Sequence, residues 1–187
     1  SLSNLFIFSP VFLPILTNMG EDKFQNFIKK IFRLFFIILL PISFGLSVLS
    51  RYFIFTIYGE GYLPAWIPLS ILSFLIPCIV GVDLSLASFS ARKKQKKFSI
   101  LMVFSTLIFL FLNYIFIKIF LNSSSELVIK WVSIATLISW LFCFISSILI
   151  LKKEFNINVI SFWIIKPILS SLLMSAVISF LLNYLGE

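Results

Sequence analysis

Residues 34–57 read LFFIILLPISFGLSVLSRYFIFTI, and this stretch decides the fold. Arg51 is its one charged residue. A helix needs about 20 apolar residues to cross the hydrocarbon core of a bilayer. A barrel strand would be about 10 residues long and would alternate. The stretch is too long and too uniformly apolar for a strand, so it reads as a membrane-spanning helix. Working outward, runs of the same kind occupy residues 1–18, 66–90, 98–121, 127–151 and 161–184. The expected fold is an all-α membrane protein. A single transmembrane bundle over 1–187, with about six helices, is the expected organisation.

Composition supports this reading. The chain is 60% hydrophobic and 12% charged, with a mean hydropathy of +1.13. A soluble domain is about 45–50% apolar and about 25% charged. Twenty-four Phe residues add large apolar surface that lipid accepts and water does not. Ser1 opens directly into an apolar run, and Leu185-Gly186-Glu187 close another. The chain is therefore expected to be a piece of a longer protein, with no cleavable signal peptide in view. Cys78 and Cys143 both lie inside apolar runs and read as small packing residues.

The net charge of +8 would suggest nucleic acid in a soluble protein. Here the basic residues lie between apolar runs, so nucleic acid is not an expected partner. Lys23, Lys29, Lys30 and Arg33 fall in the first connection. Arg92, Lys93, Lys94, Lys96 and Lys97 fall in the third, and Lys152, Lys153 and Lys166 in the fifth. Only Arg51, Lys118 and Lys130 lie on the other side. This asymmetry predicts that the first, third and fifth connections face the cytoplasm. The location expected is the cytoplasmic membrane, crossed several times. Basic and apolar residues alternate over Lys23–Arg33, which predicts an amphipathic stretch along the interface.

Within the runs, polar and small residues form rows. Pro167, Ser171, Ser175, Ser179 and Asn183 are spaced by four, and Thr136, Ser139, Cys143 and Ser146 follow the helical period. Ser99, Thr106 and Asn113 are seven apart. Such rows let helices approach closely, or else line a polar cavity. Pro41 and Pro77 are each followed by glycine, Gly45 and Gly81, four residues on, and bends are expected there. Asp83 is the one acidic residue deep in a run. A carboxylate at that depth marks a pathway or an ion pair; otherwise Asp83 is protonated, or pairs with Arg92, nine residues and about 13 Å further along the helix. Arg51 is either a cation snorkelling to the outer interface or a phosphate-binding side chain facing a cavity. No phosphate-binding glycine loop, no nucleophile elbow and no His are present. An enzyme is not expected, and neither a metal nor a cofactor is implied.

The order of these features resembles the C-terminal half of the O-antigen type polysaccharide flippases. These belong to the multidrug/oligosaccharidyl-lipid/polysaccharide exporter superfamily. Pro41-Ile42-Ser43-Phe44-Gly45 resembles the family's Pro-x-x-x-Gly, and Tyr58-Gly59-Glu60-Gly61-Tyr62 its outer turn. Ala65–Leu72 resembles the stretch that follows, and Ala91-Arg92-Lys93-Lys94 the basic cytoplasmic turn. Asn113 sits where the family often has Asn, and Ala135, Thr136 and Ser139 resemble its Ala-Thr-x-x-Ser segment. The family's Pro and Gly before that segment have no counterpart here: residues 122–126 and 130–132 contain neither.

The resemblance implies a part of a two-bundle transporter of about fourteen helices. Its partners would be an undecaprenyl- or dolichyl-type lipid-linked oligosaccharide, membrane lipid and the missing N-terminal bundle. It would flip that precursor by alternating access, with Arg51 and Asp83 as pathway candidates. A drug or cation exporter of the same superfamily is a second reading. A non-transporting membrane scaffold is a third.

Overall fold

A computed structural model of the chain describes residues 9–120, 125–159 and 165–185. The chain is an all-α membrane protein. Among the described residues, its helices are α1 (Ser9–Thr17), α2 (Glu21–Tyr58), α3 (Trp66–Leu72), α4 (Leu75–Ala91), α5 (Gln95–Phe120), α6 (Ser125–Phe155) and α7 (Ile165–Leu185). A 3-10 turn, Glu60–Ala65, leads into α3. The start of the first run, the connection at 122–124, residues 161–164 of the last run and the side chain of Asn183 lie outside the described residues.

Four of these helices are long and apolar enough to cross a membrane, and α3 with α4 would make a fifth span. That fifth span is broken. The segment Glu60–Leu72 meets α4 at 44°. Pro77 explains the position, because a proline removes the bond to the carbonyl four residues back. That carbonyl belongs to Ser73, which instead accepts the N–H of Ile76 at 3.2 Å. The Ser70 and Ser73 hydroxyls donate to the carbonyls of Ile67 and Ser70, both at 2.8 Å. The bend expected at Pro77 thus falls one turn earlier, whereas α2 runs on through Pro41 without interruption.

Helix α2 differs most from the sequence reading. It spans 38 residues, about 57 Å at the helical rise, against a hydrocarbon core about 30 Å thick. The stretch Lys23–Arg33 is therefore the beginning of the same helix and not a separate segment along the interface. Phe24, Ile28, Ile31 and Phe32 recur on one face and are buried, while Lys23, Lys30 and Arg33 are exposed. Glu21 and Asp22 occupy its first turn, where carboxylates complement the helix dipole. The apolar face thus meets protein, because the ends of α4, α5 and α6 converge on it.

That convergence forms the main core. Phe24 and Phe155 meet edge-on at 5.7 Å between ring centroids. Phe89 lies 5.3 Å from Phe155 and 5.7 Å from Phe98. Leu16, Leu84, Leu151, Ile157 and Val159 complete the cluster. The first, third and fifth connections meet here, at one end of the bundle. The Arg92 guanidinium donates to the Met19 carbonyl at 3.1 Å and lies 4.3 Å above the Phe24 ring. At the opposite end, Trp131 stacks on Phe116 and Phe120, and Tyr58 packs 5.9 Å from Tyr62. Aromatic rings are enriched at membrane interfaces in this way.

Candidate functional site

Helix α4 is the most enclosed element, packed against α1, α2, α5 and α6. Gly81 makes this possible, since a Cβ there would overlap the Phe144 ring of α6. Phe144 in turn packs 5.7 Å from Phe36 of α2. The Ser85 and Ser147 hydroxyls approach to 3.3 Å between α4 and α6. Ser147 donates to the Phe144 carbonyl at 2.7 Å, and Ser85 also lies 2.8 Å from the Gly81 carbonyl. Ser88 donates to the Leu84 carbonyl at 2.8 Å.

Asp83 sits among these residues, 2% exposed. Its level can be read from its neighbours. Arg92 meets Phe24, and Asp83 lies nine residues back, about 13 Å along the axis. Helix α4 runs antiparallel to α2, so Asp83 lies level with Phe32–Phe36. This is the margin of the apolar run at the basic end of the bundle, a shallower place than the sequence alone implies. The nearby Arg92 is engaged with Met19 and Phe24, as described above.

Arg51 lies elsewhere. It is exposed on α2, about 27 Å further along the axis than the level of Asp83. Its neighbour Ser50 is 1% exposed, so this face of the helix turns outward at Arg51. The fold does not bring the two pathway candidates together.

Comparison with known proteins bears on the part of the chain that carries Arg51. Residues 5–67 match a family model described as polysaccharide biosynthesis protein. No curated protein and no solved structure gives a match. The matched residues take in α1, α2 and the outer turn, and so include Pro41, Gly45, Arg51, Tyr58, Gly59 and Tyr62. Asp83, Asn113, Ala135, Thr136 and Ser139 lie beyond them. The match supports a role in polysaccharide biosynthesis for a membrane protein.

Within the matched part, the outer turn has a clear structural basis. Gly59 ends α2 at φ 80° and ψ −177°, backbone geometry that side chains strongly disfavour. Its N–H caps the helix on the Phe55 carbonyl at 3.0 Å. Gly45 lies against α7, where an added Cβ would come within 3.3 Å of the Met174 methyl. The polar motif residues of later helices turn back on their own backbone. Asn113 donates to Phe109, Thr136 to Val132 and Ser139 to Ala135, each at 2.8 Å. Ser171 does the same to Pro167 at 2.6 Å, and Ala135 is fully buried. These bonds favour helix packing for most of the polar rows.

One exception is a cavity of about 220 Å³ between α5 and α6, which Ser105, Thr106, Ser139, Trp140 and Cys143 help to line. It joins parts of two rows that the sequence shows separately. A second feature was not read from the sequence. Glu154, at the end of α6, binds Lys94 at 2.9 Å and also Lys97. A single carboxylate opposite a basic turn was the available signal.

Proposed function

We propose that this chain is part of a flippase that moves a lipid-linked oligosaccharide across the cytoplasmic membrane by alternating access. The match of residues 5–67 to the polysaccharide biosynthesis model carries this reading. The all-helical bundle and the resemblance in motif order support it. In this reading the prenyl chain stays in lipid while the sugar crosses between two bundles. Arg51 would offset phosphate charge at the outer end, since a guanidinium stays ionised and can bond two oxygens. Asp83 would couple an ion near the cytoplasmic margin. The chain would act as a transporter and not as an enzyme.

The test is complementation. A bacterial strain lacking its own flippase would receive the protein, and surface glycan would be measured. Restored glycan is the expected result. A protein that reaches the membrane but restores no glycan across many glycan backgrounds would overturn the assignment. Export of cationic dyes without glycan would favour the drug-exporter reading.

A further inference from the structure

The basic end of the bundle carries a cluster of cations, and four of them, Lys93, Lys94, Lys96 and Lys97, line a cleft with Gln95 and Glu154. Arg92, Lys93, Lys94, Lys96 and Lys97 come from the α4–α5 turn, and Lys152 and Lys153 from the end of α6. Glu154 engages Lys94 and Lys97 and is 14% exposed. Lys93 and Lys96 line the same cleft, about 550 Å³ in volume. Among the described residues, neither has a carboxylate partner. The turn is well ordered by its backbone: Lys93, at φ 55°, donates to the Ser90 carbonyl, and Lys94 to that of Phe89.

The surface beside this cleft is apolar. Ile100, Val103, Leu107 and Phe111 follow Lys96 along α5 at helical spacing, and each is more than half exposed. Residues three or four apart lie on one helix face. The face therefore begins with cations and continues as a greasy track into the bilayer. A ligand that fits has an anionic head and long apolar chains. Basic pockets between helices on the cytoplasmic side suit such lipids.

We propose that the cleft formed by Lys93, Lys96 and their neighbours binds the phosphate of an anionic phospholipid of the inner leaflet, its acyl chains lying along Ile100, Val103 and Leu107. Glu154 keeps Lys94 and Lys97 in place and leaves Lys93 and Lys96 for the headgroup. This site is independent of the transport reading.

The test uses the protein in nanodiscs of phosphatidylcholine containing about a fifth phosphatidylglycerol, with retained lipid counted by native mass spectrometry. The expected result is an enrichment of about fivefold for phosphatidylglycerol. The double substitution Lys93→Gln/Lys96→Gln should abolish it, and Lys93→Arg/Lys96→Arg should keep it. Lys23→Gln/Lys30→Gln, on the exposed face of α2, should leave it unchanged. Glycerol phosphate in solution should not displace the lipid. Retention of the two lipids by the unaltered protein in the one-to-four proportion of the nanodisc would overturn the proposal. So would full enrichment in Lys93→Gln/Lys96→Gln, or displacement by glycerol phosphate, which would assign the cleft to free anions.

Discussion

The ring of Phe144 lies directly against the backbone of Gly81, so that α6 and α4 touch where any larger residue would hold them apart. Gly81→Ala should therefore destabilise the bundle by about 1–3 kcal/mol, the usual cost of overpacking. Gly61, with open space around it, is the control, and Gly61→Ala should be close to neutral. Unfolding of the purified protein in mixed micelles measures both. Equal stability of the two variants would show that the Phe144 ring moves aside freely.

Gly59 tests the outer turn. Its positive φ makes Gly59→Ala cost about 1–3 kcal/mol through backbone strain alone. The space around it is open, so no steric clash contributes. A melting temperature unchanged from that of the unaltered protein would mean that the turn has another conformation.

Orientation follows from the gathering of the basic connections at one end. In a protein carrying Cys78→Ser and Cys143→Ser, a cysteine in place of Gln95 should react with impermeant thiol reagents only from the cytoplasm. A cysteine in place of Glu60 should react only from outside. Reversed labelling would invert the charge argument.

Asp83 is buried on α4. If it couples an ion, Asp83→Asn should lower glycan export by about tenfold or more while the protein still inserts. Normal export at matched expression would leave Asp83 a packing role.

Arg51 separates two readings by its response to lysine. If it binds phosphate, Arg51→Ala should reduce export by about tenfold, and Arg51→Lys should restore it only in part, because lysine lacks the paired geometry. If it only reaches for the outer interface, Arg51→Lys should export normally and Arg51→Ala nearly so. Surface glycan in the complemented strain decides between them.

The helices were legible because the length and apolarity of a spanning segment leave few alternatives. The start of α2 was not, because its charged residues mask the recurrence of Phe24, Ile28, Ile31 and Phe32. The bend near Pro77 was legible, but its place depends on the Ser73 carbonyl, which Pro77 cannot bond and the Ile76 N–H does. The partners of Glu154 were hidden for a different reason. Lys94 and Lys97 lie far from it in the chain, and only the packing of α5 on α6 brings them close. The rows of small residues could be read as packing or as cavity. The hydroxyls of Thr106, Thr136, Ser139, Ser171, Ser175 and Ser179 all bond their own helix, and Thr106 and Ser139 also line the cavity between α5 and α6.

The two ends of the bundle cohere by different forces. At the basic end, the Phe-rich core around Phe24 and Phe89 lies beyond the apolar run of α2, where water is the alternative to contact. Pulling those helices apart would wet large rings, which the hydrophobic effect resists strongly. Toward the other end, the buried positions among the described residues are mostly small, with Ser43, Gly45, Ser50, Ser73, Ser133, Ala135 and Ser139 beside Ile54 and Cys78. Parting the helices there exchanges protein contacts for lipid contacts, a far smaller loss. By this argument the Phe-rich end is the harder of the two to part.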